Sequence, residues 1–216
     1  MRRTGSIPGY MRCVAFAAMA AALAAAAPAR AANGVDPDWP CVQRKVPALA
    51  LAQMWPVPPP DPAHAPDAAV EKEIKRLARA IAPRRVSAEE AAAAAAPLVE
   101  GLDEAGRAER LGLLFEAVLH RINVERSQII SGIARYAHRQ ADLAAFVEER
   151  QLELARLEAA PEAERDAAKI EELRTALAWD ARVFRERSQS LMYVCETPVL
   201  LERRAFELAR ALSGMI

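Results

Sequence analysis

The chain has 216 residues with 29 basic and 29 acidic side chains, so it carries no formal net charge. No run of Lys and Arg with interleaved aromatics occurs, which excludes the electrostatic footprint of a nucleic-acid-binding protein. The length suffices for one domain with a real core, or for an elongated helical body with a smaller head.

Residues 1–31 read as a secretory signal peptide. A basic start with Arg2, Arg3 and Arg12 leads into an apolar run from Val14 to Ala27, which closes on Ala29-Arg30-Ala31, and cleavage is expected after Ala31. Met11 is an alternative start, because a leader opening Met11-Arg12-Cys13 has ordinary proportions. Arg2-Arg3 lacks the hydrophobic residues that follow a twin-arginine signal, which favours the general secretion route. Neither Cys13 nor Cys41 ends a small-residue tripeptide just after the apolar run, so lipid attachment is not expected. The run is shorter than the ~20 residues that span a bilayer, which argues against an uncleaved anchor and leaves no stable membrane span after cleavage. Removing residues 1–31 takes away four arginines and no acid, so the mature chain keeps 25 basic against 29 acidic side chains, a net charge of −4. The expected location is periplasmic or secreted.

Export puts the two remaining cysteines, Cys41 and Cys195, in an oxidising space, where they are expected to form one disulfide. Closing a loop of about 155 residues restricts the unfolded chain by roughly 5 kcal/mol in the chain-entropy account. Two free thiols at a redox or metal site would need Cys-x-x-Cys spacing or a nearby histidine, and the sequence has neither. Cys41 lies in an extended arm, residues 32–66, where nine prolines from Pro37 to Pro66 block any long helix. Trp39, Val42, Leu49, Met54 and Trp55 give this arm more apolar surface than a solvated spacer tolerates, so it is expected to pack along something. Either Trp39 and Trp55 dock on the protein's own helices, or the segment around Trp39 forms a partner-binding epitope.

Residues 67–103 are expected to form short helices. The first runs over about 67–82, capped by Asp67 and ended by Pro83, with Val70, Ile74, Leu77 and Ile81 at helical spacing. The second starts at Ser87, which makes a capping box with Glu90, and runs through an alanine stretch until Pro97 disturbs it. From 104 to 158, residues from Leu111 through Phe115, Val118 and Ile122 to Leu157 recur largely at steps of 3 and 4, which predicts one very long helix of roughly 80 Å. Ala159-Ala160-Pro161 forces a turn. A returning helix from about 162 carries Ile170, Leu173, Leu177, Phe184, Leu191 and Val194, with Asp180 and Arg187 interrupting the apolar seam. Thr197-Pro198 reads as an N-cap with proline in the first helical position, so a separate last helix is expected over 196–216. The fold class is therefore all-α: a long antiparallel coiled-coil hairpin, residues 104–195, with a small helical bundle at its base and an extended Pro-rich N-terminal arm. The far end of the hairpin projects as a slim rod or is covered by a second copy, and a homodimer is expected.

Candidates for chemistry are few. His120 and His138 are 18 residues apart, five helical turns, so they share a stripe of the long helix at a separation of roughly 27 Å and cannot share a metal within one chain. His64 sits in the proline arm without an evident ligand partner, and the paired glutamates at 148–149 and 171–172 read as solvated faces. No nucleophile, histidine and acid spacing and no phosphate-cradling glycine loop occurs, so neither an enzyme, a cofactor nor a metal is expected. Trp39, Trp55, Asp180 and Arg187 stand out as partner-binding candidates, the last two because polar groups in an apolar seam fix register and partner choice. Two functions fit: an exported interaction protein acting as scaffold, assembly factor or chaperone for envelope proteins, or a periplasmic sensor of a small ligand or metal built on the helical hairpin.

Overall fold

The computed structural model describes residues 36–58 and 66–216. The expected signal peptide at 1–31, the first four residues of the arm, and the stretch from Pro59 to Ala65 with His64 lie outside the described residues. Every element within them is a helix: α1 (Leu51–Met54), α2 (Ala68–Ile81), α3 (Ala88–Val99), α4 (Glu104–Ala159), a 3-10 turn (Glu162–Glu164) and α5 (Ala167–Ser213).

Local sequence explains most of these boundaries. The Asp67 carboxylate accepts from the amides of Ala69 and Val70 at the start of α2, which then buries Ile74, Leu77, Ala78 and Ile81 on one face. Ser87 and Glu90 close a reciprocal capping box on α3, whose buried stripe is Ala91, Ala95 and Val99. Small side chains at four-residue steps let α3 lie close to its neighbours. The disturbance expected at Pro97 does not end α3. Proline lacks the amide that would bond the Ala93 carbonyl and crowds that carbonyl with its ring, but both residues are exposed to water and Pro97 lies two residues before the helix's last, Val99. Between α3 and α4, Gly101 takes a φ of 76°, a left-handed conformation open to glycine without steric cost, and the chain reverses there. Asp103 then caps α4 through the Gly106 amide, and Asp166 caps α5 through the Lys169 amide.

The structure departs from expectation near residue 197. Thr197-Pro198 does not start a separate helix; α5 runs without interruption for 47 residues through Pro198. The helix upstream of the proline is held from outside, by Cys195 and by buried contacts, so the lost hydrogen bond to the Val194 carbonyl costs less than a break would. Val194 is also exposed, so water can take that carbonyl. The arm differs in a smaller way: between Pro47 and Pro56 it makes one helical turn, α1.

The core sits where all the helices meet. Leu111, Phe115, Val118 and Ile122 of α4 meet Leu201, Ala205, Leu208 and Leu212 of α5, with α2 and α3 closing the sides. Each of the larger side chains contributes about 1.5–3 kcal/mol by leaving water. The arm adds Leu49 and Trp55, and the Trp55 ring stacks on Phe115 with 5.2 Å between centroids. Beyond this core α4 and α5 continue side by side. Partner numbers on α5 fall as those on α4 rise, from Arg126 with Pro198 through Gln140 with Phe184 and Arg150 with Asp180 to Glu158 with Arg174. Past Gln140 no residue of α4 is buried, and the facing stretch of α5 buries only Ile170 and Leu177.

Candidate interaction surfaces

Two regions could meet a partner: the stapled arm and the outer parts of α4 and α5. The arm is fixed at several points. Cys41 and Cys195 form a disulfide with a Cα–Cα distance of 5.6 Å. The Trp39 indole N–H donates to the Gln43 carbonyl at 2.6 Å, and the Gln43 side chain reaches Glu196. His138 Nε2 lies 2.6 Å from Asp38 Oδ1. Lys45 pairs with Asp36 at 2.8 Å; this hydrogen bond, aided by one from the Asp38 amide, holds the Asp36 carboxyl below its ordinary pKa. Farther along, the Asn123 side chain clamps the Leu49 backbone, accepting from its N–H and donating to its carbonyl, each at 2.9 Å. That pair satisfies an arm residue that has no helix or strand partner.

The four partner-binding candidates therefore fall in different settings. Trp39 and Trp55 are both buried, so neither presents its ring to solvent. Asp180 is part-buried and accepts from Arg150 at 3.0 Å. The Arg187 side chain is exposed, and its backbone carbonyl accepts from the Tyr136 hydroxyl at 3.2 Å. Asp180 thus bridges the two long helices directly, whereas Arg187 contributes its main chain and leaves its guanidinium outside.

Sequence periodicity passed over a second set of residues. The Arg150 guanidinium that holds Asp180 also lies over the Phe146 ring, 4.3 Å from its centroid. Phe146 is 43% exposed, Leu152 55% and Trp179 64%. The signal was available: Phe146 and Trp179 are aromatic residues at positions off the apolar seam, where no packing demand within the chain explains them. Near the disulfide, Val42, Met192 and Tyr193 add further exposed apolar surface.

The buried polar groups do structural work. Arg126 is buried, donates to the Pro198 carbonyl at 3.2 Å and lies 3.8 Å from Glu202. Arg204 donates to the Ile81 carbonyl at 2.8 Å and so caps the C-terminal end of α2. Burial lowers the pKa of both guanidinium groups, against the pull of Glu202 and Glu207 respectively. Among the described residues no three His, Cys, Asp or Glu side chains gather as a metal site, and His120 and His138 both face solvent. An open groove of about 670 Å³ runs between α2 and α4, with Ile74 and Leu113 at its floor and Lys75, Arg79 and Arg121 on its rim. No helix among the described residues is long and apolar enough to cross a membrane. In comparison with known protein families, with curated proteins and with solved structures, the chain matches none.

Proposed function

We propose that this chain is an exported interaction protein, a periplasmic scaffold, assembly factor or chaperone for envelope proteins, in which α4 and α5 form an antiparallel coiled-coil hairpin. The observation that carries the reading is the contrast along the two long helices. Their inner parts share a closed core with α2 and α3, while their outer parts bury almost nothing and keep Phe146, Leu152 and Trp179 in water. Helices extended so far beyond their own core make sense when another molecule covers them. Export is supported by the signal-like leader and by the disulfide, which persists in oxidising compartments. The test is crosslinking of the tagged mature protein in its native envelope, followed by mass spectrometry. One dominant envelope partner is expected of a scaffold or assembly factor and many unrelated clients of a chaperone; capture of no other protein overturns the reading. The open groove between α2 and α4 favours the sensor as second reading, and a small-molecule screen for a raised melting temperature tests it.

A further inference from the structure

Phe146 stands on one flank of the outer helix pair and Trp179 at the outer edge of the same flank, as two contacts and the helical spacing indicate. Arg150 with Asp180, at 3.0 Å, and Glu153 with Lys169, at 3.2 Å, bridge α4 and α5 along one flank. Phe146 shares the α4 stripe of Arg150 and Glu153, four and seven residues away, and its ring lies under the Arg150 guanidinium. On α5, Lys169, Ala176 and Asp180 form the matching stripe, and Trp179 stands at its outer edge beside Ala176 and Val183. The same two bridges set the height. They place Phe146 level with residues 176 to 184, so the two exposed aromatics lie at similar heights on the helix pair.

The charges of this face follow a pattern. Along the α4 edge, Asp142, Glu149 and Arg156 recur at seven-residue steps around Phe146, and along α5 Glu172 and Arg187 flank Trp179. None of these five side chains has an ion-pair partner among the described residues, although their neighbours Arg150, Glu153, Lys169 and Asp180 do.

We propose that the chain pairs with a second copy of itself through this face, the two helix pairs lying parallel about a two-fold axis along their length. This inference rests on the reading of the outer helices as an interaction surface and names what covers it. In that arrangement α4 of one copy lies on α5 of the other. At the heights set above, Phe146 meets the second copy's Trp179, Asp142 meets its Arg187 and Arg156 meets its Glu172; Glu149 falls opposite the second copy's Ala176 and keeps its carboxylate in water at the rim. Each contact occurs twice by symmetry, and four helices then bury the aromatic pair that two leave exposed. The complementarity of Asp142 with Arg187 and of Arg156 with Glu172 is what points to a second copy as the occupant.

The test uses the purified mature chain with its disulfide intact, followed by sedimentation from about 1 to about 100 μM, a range that spans micromolar association. A concentration-dependent dimer is expected. Trp179→Glu should weaken it by at least about tenfold, since buried aromatics dominate interfaces of this kind. Circular dichroism establishes that the variant keeps its helices. Should it lose them, the charges decide alone: Asp142→Arg weakens the dimer, and adding Arg187→Asp restores it. A monomer at every concentration overturns the proposal, as does a dimer indifferent to both sets of substitutions. A monomer that still captures an envelope partner in cells overturns the second copy as occupant and leaves the interaction reading in place. A dimer that captures nothing else does the reverse.

Discussion

Asn123 and Arg126 sit one helical turn apart on α4 and meet different demands. Asn123 supplies both hydrogen bonds of the Leu49 backbone, so Asn123→Ala leaves a part-buried N–H and C=O without partners. A loss of about 1–3 kcal/mol is expected from urea denaturation, and a midpoint unchanged from the parent protein would sink the clamp. Arg126 spends desolvation energy on one hydrogen bond and a distant carboxylate, with a further guanidinium nitrogen unpaired. Arg126→Met keeps the length and apolar stem and removes the buried charge, so stability should change by less than about 1 kcal/mol or rise. A large loss would mean that Arg126 is held by more than these contacts. At Asp36, the Lys45 hydrogen bond depresses the folded-state pKa. Its contribution is therefore complete above the unfolded value and disappears as pH falls through the folded one, below the ordinary range of ~3.9. An NMR titration should find the Asp36 carboxyl ionising below a free aspartate, and Lys45→Ala should move it back up.

Among the elements, α3 and α5 each carry a proline inside the helix, and the two prolines differ in setting. Pro97 is exposed and Pro198 buried. Pro97→Ala restores an amide to α3 and removes the ring clash without opening a cavity, so a gain of about 1–3 kcal/mol is expected by calorimetry. A fall in melting temperature would reveal a packing role for the ring. Legibility from sequence follows the same division between local and long-range causes. The starts of α2 and α3 could be read within about a residue because Asp67 and the Ser87 and Glu90 box act on amides two or three positions away, and that of α4 from its apolar periodicity. The continuity of α5 could not, because what holds it through Pro198 comes from residues far along the chain, Cys41 and Arg126. Of the partner-binding candidates, Trp39 and Trp55 could be read either as docking on the protein's own helices or as part of an epitope, because an arm rich in proline gives no sign of where it lies; both are buried. Asp180 was identifiable as a polar break in an apolar seam. Its neighbour Phe146 was overlooked because periodicity registers what repeats, and an aromatic off the stripe does not.

At the scale of the whole molecule, the disulfide closes a loop of 154 residues that contains α1 to α4 and more than half of α5. Cys195→Ser should lower stability by about 2–5 kcal/mol, and a reducing agent should lower the melting temperature of the parent protein but not of the variant. Equal melting curves with and without the bridge would remove its structural role. The helices themselves should survive, because Leu49, Trp55 and the Asn123 clamp hold the later part of the arm without it.

The same bridge imposes an order in time. A chain is made from its N-terminus, so Cys41 exists as a lone thiol until 154 further residues have followed it, on the order of ten seconds or more at ordinary rates of synthesis. A product that stops short of Cys195 keeps an unpaired sulfur at Cys41 and cannot lock its arm. The fastening of the arm thus waits on synthesis through Cys195, and a copy that lacks that residue is chemically marked by its unpaired Cys41.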